Sequence, residues 1–160
     1  MILLGLGANL PSAAGAPAAT LDAALRALAE DGVEILRRSP WYRSAPIPAG
    51  DQPWFVNGVA AVATRLGPKE LMALLHRIEV RFGRRRGERN APRTLDLDLL
   101  DYEGLVRAIA PVLPHPRLHE RAFVLLPLAD VAPGWRHPVS GAGLADLTAA
   151  LPPGQVADKL

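Results

Sequence analysis

Pro92-Arg93-Thr94-Leu95-Asp96-Leu97-Asp98-Leu99-Leu100-Asp101-Tyr102 alternates leucine with aspartate and then closes on an apolar run. Alternation with a period of two marks a half-buried β-strand, so a strand is predicted over Leu95 to Tyr102. Asp96 and Asp98, two residues apart, then project from the same face. Two carboxylates side by side either raise a pKa or require cations. Mg²⁺ is the natural cation, because it prefers hard oxygen ligands and often takes one or two carboxylates beside substrate phosphates. The arginines just upstream suit those phosphates. The segment therefore reads as a metal-assisted phosphoryl-transfer site, set against a plainer reading as the solvated face of a half-buried sheet.

Six arginines (Arg81, Arg84, Arg85, Arg86, Arg89 and Arg93) fall within thirteen residues that hold one acid, Glu88. The formal net charge is only +2, so this is a local anion-binding feature in a chain that is not basic overall. With 160 residues, one domain spanning 1–160 is expected, large enough to bury a core without staples. The absence of cysteine excludes disulfides, thiolate metal sites and a cysteine nucleophile. Met1 to Gly7 lacks a basic leader and its apolar run is short, and nothing approaches a membrane-spanning stretch, so a cytoplasmic protein with no membrane partner is expected.

Upstream of the acidic strand, Ile2 to Gly7 is an apolar run ended by glycine, a predicted buried strand. Leu21, Leu25 and Leu28 recur at helical spacing over Ala18 to Glu30, with Asp31-Gly32 as the stop. Val33 to Tyr42 is predicted to be a second strand bent at Pro40, and Phe55 to Thr64 a third. Gly67-Pro68 opens a second helix with an apolar stripe of Leu71, Leu74, Leu75 and Ile78. After the acidic strand, Glu103-Gly104 reads as a hairpin turn into a strand over Val106 to Ile109. Beyond Pro111 the chain is interrupted by prolines, with short helical pieces near Ala122 to Leu126 and Leu144 to Leu151. The order strand, helix, strand, strand, helix, strand predicts an α+β, ferredoxin-like fold: an antiparallel sheet with a βαββαβ core, helices on one side and a Pro-rich C-terminal extension.

Two further constellations accompany the arginines and aspartates. Phe55 and Asn57 form another i, i+2 pair, offering an aromatic plate beside an amide, a combination suited to a planar heterocycle. The bland reading is a core phenylalanine and an asparagine that ends a ladder. His115, Arg121 and Phe123 mix phosphate ligands with a second aromatic plate. A His115–His119 metal pair is discounted because Pro116 interrupts a continuous helix. There is no G-x-x-x-x-G-K-[ST] loop, and Gly5-Leu6-Gly7 lacks dinucleotide-fingerprint spacing. If the chain is a phosphoryl-transfer enzyme, arginines and metals must do the work of a P-loop.

Taken together, these motifs resemble the 6-hydroxymethyl-7,8-dihydropterin pyrophosphokinase family over nearly the whole chain. The resemblance rests on Gly5-Leu6-Gly7-Ala8-Asn9-Leu10, on Tyr42-Arg43-Ser44 with Asp51-Gln52-Pro53, Phe55 and Asn57, and on Arg77-Ile78-Glu79 with Gly83-Arg84-Arg85-Arg86. Pro92 to Asp98 is the signature, and Pro114-His115-Pro116-Arg117 with Arg121-Ala122-Phe123 completes the set. The resemblance implies that ATP donates pyrophosphate to the hydroxymethyl group of the dihydropterin, releasing AMP. It implies two Mg²⁺ ions on Asp96 and Asp98. Phe55 and Phe123 would stack on the pterin, Asn57 would bond its edge, and Ser44, Pro46 and Ile47 would help. Arg84, Arg86, Arg93, His115 and Arg121 would hold the triphosphate, with Arg84, Arg86 and Arg93 also catalytic and Glu79 on the nucleotide side. Phe55 stands where the family often carries tyrosine. A monomer is implied.

The rival from another class is a nucleic-acid-binding module, since clustered arginines suit phosphates. Aromatic residues make up only 5% of the chain and the RNP1 pattern is absent, so no nucleic-acid partner is expected. A degenerate domain that kept only the fold is opposed by intact Arg93, Asp96 and Asp98.

Overall fold

The computed structural model describes residues 1–84 and 92–160. Its longest strands come from the alternating and β-branched runs: β1 (Ile2–Ala8), β4 (Phe55–Ala63) and β5 (Asp96–Tyr102). β1 lies between the other two and pairs antiparallel with both. The short β2 (Glu34–Arg38) and β3 (Tyr42–Ser44) share the other edge of β4, and a terminal β6 (Ala157–Lys159) adds to β3. The sheet order is β5-β1-β4-β3-β6, with β2 beside β3 on β4.

Alternation along the central strands divides the core in two. Leu4, Leu6, Leu97 and Leu99 pack on one face with Leu21, Leu28, Leu71, Leu75 and Ile78. These last come from α1 (Pro17–Glu30) and α2 (Pro68–Arg81), each begun by a proline whose missing N–H costs nothing in a first turn. Leu3, Val59, Ala61 and Leu100 face the other way and meet Leu118, Leu125, Leu128 and Trp135. That layer is made of α3 (Ala122–Val131), α4 (Leu144–Ala149) and the 3₁₀ turn Leu118–Glu120.

Helices thus cover both faces, whereas the sequence predicts them on one. The difference lies in α3, which runs on through Pro127. A proline ordinarily ends a helix because it lacks the N–H and crowds the preceding turn. Here six of the ten helical residues are buried, and that apolar packing outweighs the lost hydrogen bond. The predicted C-terminal extension is therefore a second helical layer with an edge strand. The predicted bent second strand is two strands, broken at Ser39 to Trp41. No strand forms over Val106 to Ile109: the turn at Glu103-Gly104 is present, but only Arg107 and Leu113 pair beyond it. Val106 and Ile109 stay exposed there, so no burial draws the segment into the sheet.

Candidate functional site

The second face of the sheet changes character along its length. At one end Leu3, Val59 and Leu100 are sealed under α3. Toward the other end the strand registers set Asp98, Gly5 and Val59 in one row and Asp96, Gly7, Asn57 and Tyr42 in the next. Paired residues of neighbouring strands share a face, so Asp96 and Asn57 are separated only by a glycine. A β-carbon on Gly7 would stand 2.9 Å from Asn57 Nδ2, so any side chain there would press the amide out of place. The result is an open floor bounded by a pair of acids on one side and an amide on the other.

Asn57 is buried and fixed. The Ser44 hydroxyl, also buried, donates to Asn57 Oδ1. Nδ2 is left above Gly7 with no protein acceptor among the described residues. Phe55, paired with Ser44 in the ladder, continues this wall. Tyr42 donates its hydroxyl to Asp130 of α3, and burial together with that carboxylate raises the phenol pKa, so the contact keeps its proton.

The acidic side is held by charge. Asp96 accepts from Arg84 Nη1 at 2.7 Å through Oδ1 and from Arg93 Nη1 at 3.0 Å through Oδ2. Arg84 is also paired with Glu79 at the end of α2. Burial lowers the Arg84 pKa, but Asp96 and Glu79 together outweigh it and hold the guanidinium above its ordinary value. Glu79 is only 5% exposed and accepts the Leu97 N–H at 2.8 Å, tying the end of α2 to β5. Burial raises its carboxyl pKa against the opposing pull of that N–H and of Arg84. Asp98 makes no hydrogen bond or ion pair among the described residues. Burial first, and then the neighbouring Asp96, push its carboxyl well above the ordinary range, while Arg121 opposes them.

The remaining predicted residues close the cleft from above. Arg121 stands just before the first turn of α3, with its guanidinium 5.3 Å from the centre of the Phe123 ring. His115 Nδ1 accepts the Arg117 N–H at 3.2 Å. Burial and then Arg121 lower the His115 pKa to about 4, so the imidazole is neutral at physiological pH. The cleft has a volume of about 580 Å³ and is lined by Ser44, Pro46, Ile47, Phe55, Asn57, Arg93, Asp96, Arg121 and Phe123 of the predicted set. Asp98, Arg84, Glu79 and His115 are not part of the lining: Arg84 and Glu79 support it through Asp96, and Asp98 follows Asp96 on the same strand face. Arg86 lies outside the described residues.

Sequence reasoning missed three contributors. Gly7 is the floor. Asn9, 2% exposed, donates to Gln52 Oε1 at 2.8 Å and to the Pro53 carbonyl at 3.0 Å, and it accepts the Arg93 N–H at 2.8 Å. It thereby ties the loop before Phe55 to the loop before Asp96. Both residues stand in the Gly5–Leu10 motif, which gave the signal without the role. The third is the wall Pro152 to Gln155, which nothing in the sequence marked.

The family described as 7,8-dihydro-6-hydroxymethylpterin-pyrophosphokinase matches this chain over residues 3–133. The chain belongs to that family. Among curated relatives, the 2-amino-4-hydroxy-6-hydroxymethyldihydropteridine pyrophosphokinase of Pseudomonas aeruginosa is 45% identical, with 94% of this chain and 91% of the relative covered. The enzyme of the same name from Synechocystis is 40% identical, with 91% and 73% covered. In fold, the chain is similar to Plasmodium falciparum HPPK-DHPS solved with pterin and p-hydroxybenzoate, with a TM-score of 0.73 at 14% identity. That match covers 92% of this chain and 43% of the larger protein. The α+β architecture with an antiparallel sheet is thus shared with solved pyrophosphokinase structures.

Proposed function

We propose that this cleft transfers pyrophosphate from ATP to the hydroxymethyl group of 6-hydroxymethyl-7,8-dihydropterin, releasing AMP, in folate biosynthesis. The observation that carries the reading is the Asp96–Gly7–Asn57 row, which sets an acid and arginine cluster and an amide-and-aromatic wall on one floor. The names of the bacterial relatives support the same reaction. The strand order β5-β1-β4-β2 supports a ferredoxin-like core, and two apolar clusters on one sheet support a single domain over 1–160.

Pterin binding falls to the neutral wall. Phe55 and Phe123 sandwich the ring, Asn57 Nδ2 donates to its edge, and Ser44 keeps the amide from rotating. Pro46 and Ile47 contribute backbone groups along the rim. A ring lacking the matching acceptor would leave buried Asn57 unpaired, which makes the edge a specificity device.

ATP binding falls to Arg84, Arg86, Arg93, His115 and Arg121, with Glu79 on the nucleotide side. The donor set suits two Mg²⁺ ions: Asp98 is a half-buried carboxylate with no ion pair among the described residues, and Asp96 presents hard oxygens beside it. Among the described residues no group of three or more His, Cys, Asp or Glu surrounds a common point, so water and phosphate oxygens would complete the coordination. When bound, the ions would neutralise charge on the phosphates and lower the pKa of the attacking hydroxyl. Arg84 and Arg93 would leave Asp96 for phosphate oxygens and so exchange one anion for another. Their fixed positive charge follows the charge that develops as the pyrophosphoryl group moves.

The same reading takes the protein as a monomer in the cytoplasm, with no nucleic-acid or membrane partner. Among the described residues no helix is long and apolar enough to cross a membrane. The direct test follows AMP with ATP, Mg²⁺ and 6-hydroxymethyl-7,8-dihydropterin. AMP release that requires both the pterin and Mg²⁺ is the expected result. No AMP from folded protein would overturn the reading.

A further inference from the structure

One side chain holds the peptide groups on both sides of Arg121, and the mechanism above does not use it. Gln155 accepts the Ala122 N–H at Oε1, 2.8 Å away, and donates from Nε2 to the Glu120 carbonyl at 2.7 Å. Arg121 is extended, with φ −122° and ψ 114°. In an extended residue the preceding carbonyl and the following N–H point to the same side, where a neighbouring strand would pair with them. The Gln155 carboxamide takes the place of that strand's peptide group.

The position gives the contact leverage. The Ala122 N–H is among the first amides of α3, which have no partner inside the helix, and the N-cap residue Arg121 supplies no side-chain acceptor of its own. Arg121 and Phe123, which stack on each other, leave the backbone at this junction. On the other side, Val156 accepts the Ala45 N–H at 3.2 Å and β6 pairs with β3, which ends at Ser44. Gln155 therefore joins the Ser44–Asn57 wall to the Arg121–Phe123 wall across the cleft it lines.

We propose that Gln155 is a positioning residue for the dihydropterin site: its amide clamps the backbone around Arg121 and so sets Phe123 opposite Phe55. This rests on the proposed function of the cleft. Gln155→Met keeps the length of the side chain and removes both hydrogen bonds. Gln155→Glu keeps an acceptor for Ala122 and loses the donor to Glu120.

Two measurements on the full chain test it. The first is amide exchange at Ala122 without ligands, expected to be slow in wild type and Gln155→Glu and faster in Gln155→Met. The second is binding of 6-hydroxymethylpterin followed by its fluorescence. The Met variant is expected to weaken affinity about tenfold, because binding must then order the loosened junction. The Glu variant is expected between the two, while the unfolding temperature stays near that of wild type. Unchanged Ala122 exchange, or unchanged pterin affinity, in Gln155→Met would overturn the proposal; if that variant does not fold, wild-type pterin affinity in Gln155→Glu would do so. Wild-type protein that binds no pterin would instead overturn the reading of the cleft, and this proposal with it.

Discussion

Asn57 and Asp96 stand in one row of the sheet with only Gly7 between them, yet they are held in opposite ways. Asn57 is neutral, buried and fixed by a buried hydroxyl that leaves one donor aimed at the cleft. Asp96 is charged and held by Arg84 and Arg93, groups better suited to an incoming phosphate. A neutral donor fixed by its neighbours is ready before substrate arrives and loses little freedom on binding. A charged group in a poorly solvated place needs a counter-charge at all times, so the acidic side pairs with its own arginines, a pairing that a phosphate ligand would replace on the proposed reading. On the proposed reading, the comparison teaches that pre-organisation in this cleft would belong to the pterin wall, whereas the phosphate wall would work by exchange of partners.

The largest effect is expected where that exchange ends. Asp98→Asn keeps the shape of the side chain and removes its charge. If Asp98 serves a metal, turnover should fall by on the order of a hundredfold to a thousandfold, the scale seen when one transition-state contact is removed. Burial already raises the wild-type carboxyl, so asparagine should leave the unfolding temperature equal or higher at neutral pH. Turnover at saturating Mg²⁺ and a thermal melt check both. Wild-type turnover would remove Asp98 from the phosphate wall.

Next comes the neutral wall. Asn57→Ala leaves the Ser44 hydroxyl without its partner and deletes the free donor, at a cost of about 1–3 kcal/mol. Pterin affinity should fall by roughly tenfold to a hundredfold while ATP affinity holds. Equal losses for both ligands, measured by calorimetry, would erase the distinction between the walls. Gly7→Ala is a milder probe, because its β-carbon would press on Asn57 Nδ2 from 2.9 Å without removing any group. About a tenfold loss of pterin affinity is expected, with Asp96 and ATP binding spared. An unchanged pterin affinity would mean that the amide is free to yield.

Local pattern made much of this legible. Alternation placed Asp96 and Asp98 on one face and the leucines between them in the core, because a strand's period of two is geometric. Helical spacing found α1 and α2, and proline and glycine marked their ends. What stayed hidden depends on contacts far apart in sequence. α3 continues through Pro127 because of what it packs against, which no local rule contains. β6 is a strand only because the edge of β3 is free to receive it. The pairing of Asp96 with Arg84 was equally out of reach, since the sequence supplied cations and anions without saying which would meet in the absence of substrate.

The smallest effect concerns His115, which the proposed reading assigns to the phosphate wall although it is neutral like the other wall. Its folded pKa, about 4, lies below the ordinary value of 6.5, so the folded state binds fewer protons than the unfolded chain between those limits. The stability this contributes is fully present above about pH 6.5 and is lost as pH falls through about 4. One proton changes stability by at most about 1.4 kcal/mol per pH unit, so a His115→Gln variant should show a flatter decline than wild type across that window. In wild type the His115 ring resonances should stay constant from pH 8 down to about 5. A midpoint near 6.5 would contradict burial as the controlling cause. Bound triphosphate brings negative charge close to the ring and should raise the midpoint, since an anion favours the protonated imidazole. A midpoint unmoved by ATP would place His115 away from the phosphates and leave the arginines as the whole of the exchanging wall.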